Sequence, residues 1–427
     1  MMPHKGRKHC LLPDVLSNLP DNVKDVILMC LPCKDAVRTS ILSKKWRYNW
    51  CRLIELSLDE SLWETKKDLL NPTIKFTKII YQLLTLHEGP ITKYSLDIGF
   101  LKSCPKIDNF IYFLSRNHIQ QLVPRLSGGK LYNLPSSVFT CSQLRHLTLH
   151  NCLIHPPSAF RGFDKLISLE ICRVTISSES LESLISHCPL LEQLVLRIPE
   201  MFIIVEINAP MLRSFDFTGY ISSVCLKNVP RLVKASLACC ELYVHDLDLA
   251  EVFESCSSLE HLKFFLVCSW KRYQAPTRLP FDITSVKILY LLGIMLFKSS
   301  YELPYALCLI RSFPYLEYQE IKVYYEDEEN DCILECLELE RFSDVTFNQL
   351  REVKLERFGG TIPEMQLIKL LLANSPVLVK MLIDTRDLDD EPLDTRLKIF
   401  AEVSIFLRAS PKAEVVYINL SRSGSLA

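Results

Sequence analysis

Residues 144–154 read LRHLTLHNCLI, and their first six set a pattern that the chain keeps returning to. The phrase is L-x-x-L-x-L: Leu144, Leu147 and Leu149, completed by Cys152 and Ile154. It recurs at Leu166-Leu169-Ile171, Leu191-Leu194-Leu196, Leu212-Phe215-Phe217, Leu232-Ala235-Leu237 and Leu259-Leu262-Phe264. Four more follow at Val286-Leu289-Leu291, Leu316-Gln319-Ile321, Leu350-Val353-Leu355 and Leu378-Met381-Ile383. Residues two apart share one face of an extended strand, so each phrase marks a short strand with one apolar side. A unit this small buries its leucines only against its neighbours, which makes the array a stack of coils. An ordinary domain with accidental leucine spacing would have to produce ten such phrases.

From first residue to first residue the steps are 22, 25, 21, 20, 27, 27, 30, 34 and 28. The early steps fit the period of leucine-rich repeats and the later ones exceed it. Gln319 takes the place of the second leucine of its phrase, and the acidic run Glu326–Asp331 interrupts the array, so the solenoid is irregular there. Several units carry a helical stretch ahead of the strand: Ser180–Ile185 before Cys188-Pro189, and Met365–Leu372 before Ser375-Pro376. A helix, a proline stop and a strand per unit give an α/β fold with a parallel sheet on the concave face.

Upstream, residues 14–50 read DVLSNLPDNVKDVILMCLPCKDAVRTSILSKKWRYNW. Asp21 can cap a first helix that sets Val23, Val26, Ile27 and Leu31 at helical spacing; Pro32 ends it. Asp35 opens a second with Ala36, Val37 and Ile41, and Ser43 can cap a third, SKKWRYNW, with Trp46 and Trp50 four apart. About 40 residues bury too little apolar area to stand alone. This segment should therefore dock its spare apolar surface on something else.

The order Asp14, Leu16-Ser17, Leu19-Pro20, Ile27, Leu31-Pro32, Asp35-Ala36-Val37, Ser40, Leu42-Ser43-Lys44 and Trp46…Trp50 resembles the F-box. Cys33 stands where that family usually has Thr, and Asn22 where an acidic residue is common. A second resemblance lies in FGGTIPEMQLIKLLLANSPVLVKMLI (358–383) and LRASPKAEVVYINL (407–420). These look like the FBD region that closes many plant F-box/leucine-rich-repeat proteins, a group that LPSSVFTCSQLRHLTLHNC (134–152) also matches. The implied organisation is a basic tail (1–10), an F-box (11–52), a helical linker (53–90), leucine-rich repeats (91–340) and an FBD-like α/β region (341–427).

In that family the F-box binds a Skp-type adaptor, which hangs the protein on a cullin–RING ubiquitin ligase. Carried onto this chain, the adaptor surface is Leu19, Pro20, Val23, Ile27, Leu31, Pro32, Leu42 and Trp46. Sequence does not separate which of these touch the partner and which pack internally. The repeats would present a target protein, and the chemistry would belong to partner enzymes. The chain then needs no active site and no cofactor. A non-degradative interaction scaffold is the alternative.

Composition agrees with a folded binding protein. Hydrophobic residues make up 48 % and glycine only 11 of 427 positions, which argues for large cores. Residues 1–52 hold ten Lys/Arg and four Asp/Glu, or +6, which leaves −7 for the rest of a chain whose net charge is −1. A basic head on an acidic body suits an acidic protein partner. No nucleic-acid-reading motif or dense basic stripe is present, and Lys44-Lys45-Trp46-Arg47 reads as a solvated face over a tryptophan core. The longest apolar run, Ile288–Phe297, is half a membrane span. Seventeen cysteines, an odd number in apolar context with no secretory signal ahead of them, read as reduced thiols of cytoplasm or nucleus.

Cys30-Leu31-Pro32-Cys33 is formally C-x-x-C, but no second ligand pair stands at zinc spacing. Cys239-Cys240, Cys332 and Cys336 lack such a frame too, and Cys152 and Cys240 fill the packing slot of their repeats. His146 and His150 flank Thr148 on one strand face, read as a solvated pair rather than metal ligands. Alternation sends the residues between the leucines to the concave face. These are His146, Thr148, His150, Ser168, Glu170, Gln193, Val195, Ser214, Asp216, Lys234, Ser236, His261, Lys263, Phe265, Ile288, Tyr290 and Leu292. Most of these are polar, but Phe265, Ile288, Tyr290 and Leu292 cluster as an apolar group on adjacent coils and form the candidate target contact. An insertion within the long steps could instead fold over them and make them core.

Overall fold

The first leucine of the repeated phrase is where each coil turns. In eight of the ten phrases its N–H donates to the carbonyl three residues back, for example Leu191 to Cys188 at 3.1 Å, Leu212 to Ala209 and Leu232 to Val229 at 3.0 Å, and Leu378 to Ser375 at 3.3 Å. The next two N–H groups reach one carbonyl of the preceding coil, as Glu192 and Gln193 do to Ile167 at 2.9 and 3.0 Å. The same fork repeats as far as Val379 and Lys380 on Arg351. Each coil is thus registered on its neighbour before its strand begins.

In this computed structural model the described residues are 16–62, 72–98, 107–126, 131–198, 205–219, 224–239, 252–265, 279, 282–294, 302–323, 345–389 and 391–419. The basic tail, Trp63, Leu69, Leu70, Cys240, the acidic run 326–331, Cys332 and Cys336 lie outside them, as do the stretches that could form an insertion over the repeats. The chain divides into two units, residues 1–165 and 166–427.

The first unit begins with helices α1 (Asp21–Met29) and α2 (Cys33–Arg38). Pro20 and Pro32, both extended, hold the N-cap positions. Asp21 is therefore the first helical residue and not the cap, and α2 starts two residues before Asp35. The stretch after Ser43 is not an α-helix. It runs as i→i+3 turns, Trp46 to Ser43 at 3.1 Å and Asn49 to Trp46 at 3.3 Å, into a 3-10 turn at Asn49–Arg52. The Ser43 hydroxyl meets the Ser17 hydroxyl at 2.8 Å, so it caps nothing, while Trp46 and Trp50 both end up buried.

The stretch read as a helical linker is part strand. Here β1 (Glu55–Asp59) precedes α3 (Pro72–Leu86), whose buried face is Phe76, Ile80 and Leu83. Then come β2 (Lys93–Ile98), α4 (Ile107–Arg116) and β3 (Gln121–Leu126), followed by β4 (Tyr132–Asn133), β5 (His146–His150) and β6 (Cys152–Leu153). β1, β2, β3 and β5 form a parallel ladder, and β4 pairs with β6. The α4 face Phe110, Ile111 and Leu114 is buried, with Phe110 edge-on to Tyr94 at 4.8 Å between ring centroids.

The second unit is one parallel ladder of ten strands, ordered β7 (Ser168–Cys172), β8 (Gln193–Arg197), β10 (Ser214–Gly219), β12 (Lys234–Cys239), β13 (His261–Phe265), β14 (Ile288–Ile294), β15 (Tyr318–Val323), β16 (Glu352–Glu356), β17 (Lys380–Asp384) and β18 (Glu414–Ile418). β9 (Val205–Asn208) and β11 (Val224–Asn228) pair with each other alone. Helices α5 (Ser178–Ser186), α6 (Glu302–Arg311), α7 (Ile362–Asn374) and α8 (Leu393–Ser404) sit in four of the crossovers, the long connections that parallel pairing requires. All ten phrases fall on strands, β5 among them, and every residue at their 30 leucine positions is at most 4 % exposed. Gln319 obeys the pattern in position though not in chemistry. It is fully buried between Leu289 and Val353, and its side-chain amide meets no hydrogen-bond partner among the described residues.

Candidate functional site

Two surfaces stand out, one in each unit. In the first unit the apolar stripe of α1 faces outward. The residues it buries are Lys24 and Leu28, four apart, with the Lys24 ammonium held by Asp21 at 3.2 Å. Val23, Val26 and Met29 are exposed, as are Leu31 and Val37. Leu16, Leu42 and Tyr48 are more than half exposed, and Ile41 reaches 86 %. An ordinary amphipathic helix does the opposite. So much outward apolar surface on one short segment marks a contact site.

Of the eight residues assigned to the adaptor, Pro20, Val23, Leu31, Pro32 and Leu42 are exposed and Leu19 and Ile27 half-buried. Trp46 is a correction. At 2 % exposure its ring packs inside the unit, so it supports the surface from behind. Leu16, Val26, Met29, Val37, Ile41 and Tyr48 join the exposed set and were not in it. Ile41 adjoins Leu42, and Val26 lies on the helical stripe already recognised, so apolar adjacency would have found both. Around them Lys44, Lys45 and Arg47 are exposed, Lys45 donating to Asn18 at 2.9 Å, and Arg52 bridges Asp21 at 3.7 Å and Asp25 at 3.5 Å. Lys24 first, and Arg52 after it, hold the Asp21 carboxyl below its usual range.

In the second unit the candidate target residues come together. The register pairs His261 with Ile288, Lys263 with Tyr290 and Phe265 with Leu292 across β13 and β14. All four patch residues are half-buried. The patch also extends one strand further than expected. Ile288 pairs with Tyr318 of β15, and the Tyr290 and Tyr318 rings lie 5.8 Å apart. Alternation carried past Leu316 would have found Tyr318. Its hydroxyl donates to Glu320 at 2.8 Å, and burial together with that bond raises the phenol above its ordinary range. Lys354 lies between Glu320 at 3.4 Å and Glu356 at 2.6 Å. Thr148, expected on the open face, is buried. His146 is exposed and His150 half-buried.

A family model described as "FBD-associated F-box protein At5g56370, LRR repeats" matches residues 107–321, and one for the F-box domain matches residues 16–56. The F-box/FBD/LRR-repeat protein At1g13570 of Arabidopsis thaliana is 32 % identical over 428 residues, covering 95 % of this chain and 99 % of that protein. The chain belongs to the F-box/FBD/LRR-repeat family. Two further Arabidopsis thaliana relatives are the F-box/FBD/LRR-repeat protein At5g56420, 33 % identical over 48 % of each chain, and the probable FBD-associated F-box protein At1g32375, 24 % identical over 95 % of this chain and all of its own. F-box domains generally bind Skp-type adaptors, and F-box/LRR proteins are typically non-catalytic substrate adaptors.

The motifs of the FBD region have local physical reasons. Gly360 takes φ +73°, and a β-carbon there would run into the Ile399 side chain of α8. Thr361 and Glu364 form a capping box at the start of α7, the carboxylate accepting from the Thr361 N–H at 2.8 Å and hydroxyl at 2.9 Å. The Ser410 hydroxyl donates to the Leu378 carbonyl at 2.6 Å and so ties β17 to the turn that leads into β18.

The cysteines whose side chains are described are free thiols. Burial pushes Cys33 up to about 11, with the Asp59 carboxylate adding to it, and Cys141, Cys152 and Cys256 up to about 12. Such thiols are poor nucleophiles and poor metal ligands at neutral pH. Among the described residues no three His, Cys, Asp or Glu side chains gather as a metal site, and no helix is long and apolar enough to cross a membrane.

Proposed function

We propose that this F-box/FBD/LRR-repeat protein is the substrate-recognition subunit of an SCF-type cullin–RING ubiquitin ligase. Its F-box, about residues 11–52, binds a Skp-type adaptor and through it a cullin. The repeats bind a target protein over Phe265, Ile288, Tyr290 and Leu292, with Tyr318 beside them. The observation that carries the reading is the outward apolar stripe of α1 continued by Leu31, Ile41 and Leu42. A segment that turns its apolar side to solvent and a charged lysine inward is built to be completed by a partner. The chain takes part in ubiquitin transfer without a catalytic group or cofactor of its own, in cytoplasm or nucleus.

The test is affinity capture under proteasome block with three proteins: the intact chain, Leu19→Ala with Pro20→Ala, and Phe265→Ala with Tyr290→Ala. The first variant should lose adaptor and cullin yet keep the target, and the second should do the reverse with unchanged cooperative unfolding. A target that is captured but never ubiquitinated in a manner dependent on this chain would favour a non-degradative scaffold.

A further inference from the structure

The target patch sits between two strips of very different electrostatic character. On its C-terminal side, strands β15 to β17 set Glu320, Glu352 and Glu356 against Lys322, Lys354 and Lys380 on the same sheet face. Lys354 bridges two of those carboxylates and Lys322 lies 3.8 Å from Glu356. Beyond them Asp384 is matched by Arg386. That side is neutral within itself.

On the N-terminal side the balance fails. Arg197 is taken up by Asp216 at 3.3 Å and Glu170 at 3.7 Å, and Lys287 by Glu260 at 3.2 Å. Lys234 and Lys263 are both exposed, and no described carboxylate lies within ion-pair reach of either. The register places Lys263 directly beside Tyr290, and Lys234 beside His261, which is itself beside Ile288. With strands about 4.8 Å apart and outward residues roughly 6.7 Å apart along each strand, the ammonium groups are rooted about 5 to 12 Å from the patch. They lie about 8 Å from one another.

We propose that the sheet face takes an extended segment of the target whose apolar anchor covers Ile288, Tyr290 and Leu292 and whose oxyanion side chains reach Lys234 and Lys263. This rests on the reading of that face as the target site and adds the chemical class of what it accepts. An extended chain advances about 3.3 Å per residue, so the acidic groups stand one to four residues from the anchor. Aspartate, glutamate and phosphoserine share the chemistry. Two lysines 8 Å apart suit either a pair of carboxylates or one phosphate with a carboxylate. A basic segment is disfavoured, because placing like charge beside two lysines with no counter-charge among the described residues is repulsive.

The test is an array of nine-residue peptides with Trp, Phe, Leu or Ile at the centre and Asp, Glu, phosphoserine, Gly or Lys at each other position. It is probed with the full-length chain, with Lys234→Glu plus Lys263→Glu, and with Phe265→Ala plus Tyr290→Ala. The expected result is at least tenfold enrichment of acidic or phosphorylated residues over lysine within four positions of the anchor. The Lys→Glu variant should reverse that preference while melting at the same temperature. Enrichment of phosphoserine alone, or of Asp and Glu equally, tells a modified target from an unmodified acidic one. An array that binds nothing, shows no charge preference, or keeps its acid preference in the Lys→Glu variant would overturn the proposal. Loss of the charge preference with binding still sensitive to Phe265 and Tyr290 would leave the target face standing. Binding insensitive to Phe265 and Tyr290 would remove the face itself.

Discussion

Ile41 and Trp46 lie five residues apart and should fail in opposite ways when cut to alanine. Ile41 is 86 % exposed and Trp46 2 %. Replacing Ile41 removes three carbons, each worth about 0.8 kcal/mol when buried. If the adaptor covers the exposed fraction, Ile41→Ala weakens adaptor binding by about 2 kcal/mol, roughly 30-fold, and leaves folding within about 0.5 kcal/mol. Trp46→Ala empties a buried site and should cost about 3–5 kcal/mol of stability. Calorimetric titration of the full-length variants with purified Skp-type adaptor, beside thermal melts, separates the two effects. Ile41→Ala should bind weakly with an unchanged melt, whereas Trp46→Ala should show an early loss of the first unit. An Ile41→Ala protein that binds within twofold of the parent would refute the placement of the adaptor on this surface.

Three further outcomes follow from single side chains. Gln319→Leu fills a leucine position of the repeat and removes a buried amide with no described partner, so it should raise the urea midpoint of the second unit by the equivalent of about 1–3 kcal/mol; a lower midpoint would mean that the amide is bonded. Gly360→Ala must hold a positive φ and displace Ile399, and should cost about 1–2 kcal/mol, read as faster hydrogen exchange in α8; unchanged exchange would count against it. In peptide-resolved alkylation at pH 8, exposed Cys30 should label well before half-buried Cys33, whose thiol at about 11 is ionised in roughly one molecule in a thousand; equal rates would contradict the shielding of the Cys33 thiol.

The repeat was legible because a strand's side-chain period is two and tolerates no drift. A leucine at position six of the phrase is inside if the one at position four is, which is why even Ala235 and Gln319, the weakest apolar choices, sit where the spacing puts them. The strands without the phrase were harder to see. β3 carries Pro124, which has no N–H to give a ladder. Its QLVPRL therefore reads as a break, though it pairs in parallel on both sides. β1 is only ELSLD, five residues with two leucines, in a stretch whose other signals were helical. The third F-box element misled through spacing. Trp46 and Trp50, four apart, suggest an α-helix, but consecutive i→i+3 turns bury both rings as well.

The exposed apolar surface proposed for the adaptor resisted the sequence for a deeper reason. Helical periodicity finds an apolar stripe but does not say which way it points, and the default is toward the core. In α1 that default fails. The inward side carries Leu28 with Lys24, and the lysine stays inside because Asp21, in the first turn, meets its ammonium three residues on. That short ion pair lets a nine-residue helix bury a charged face and leave Val23, Val26 and Met29 exposed. Ala36 does the equivalent in α2, fitting the interior with a small side chain while Val37 stays outside. The two helices therefore turn their apolar sides out of their own unit, toward the proposed adaptor. Composition contains that inversion only as a pairing of Asp21 with Lys24 at helical spacing, which is common on solvated helices, so the direction of the stripe emerges only once the packing of Trp46, Trp50 and Leu28 has claimed the interior.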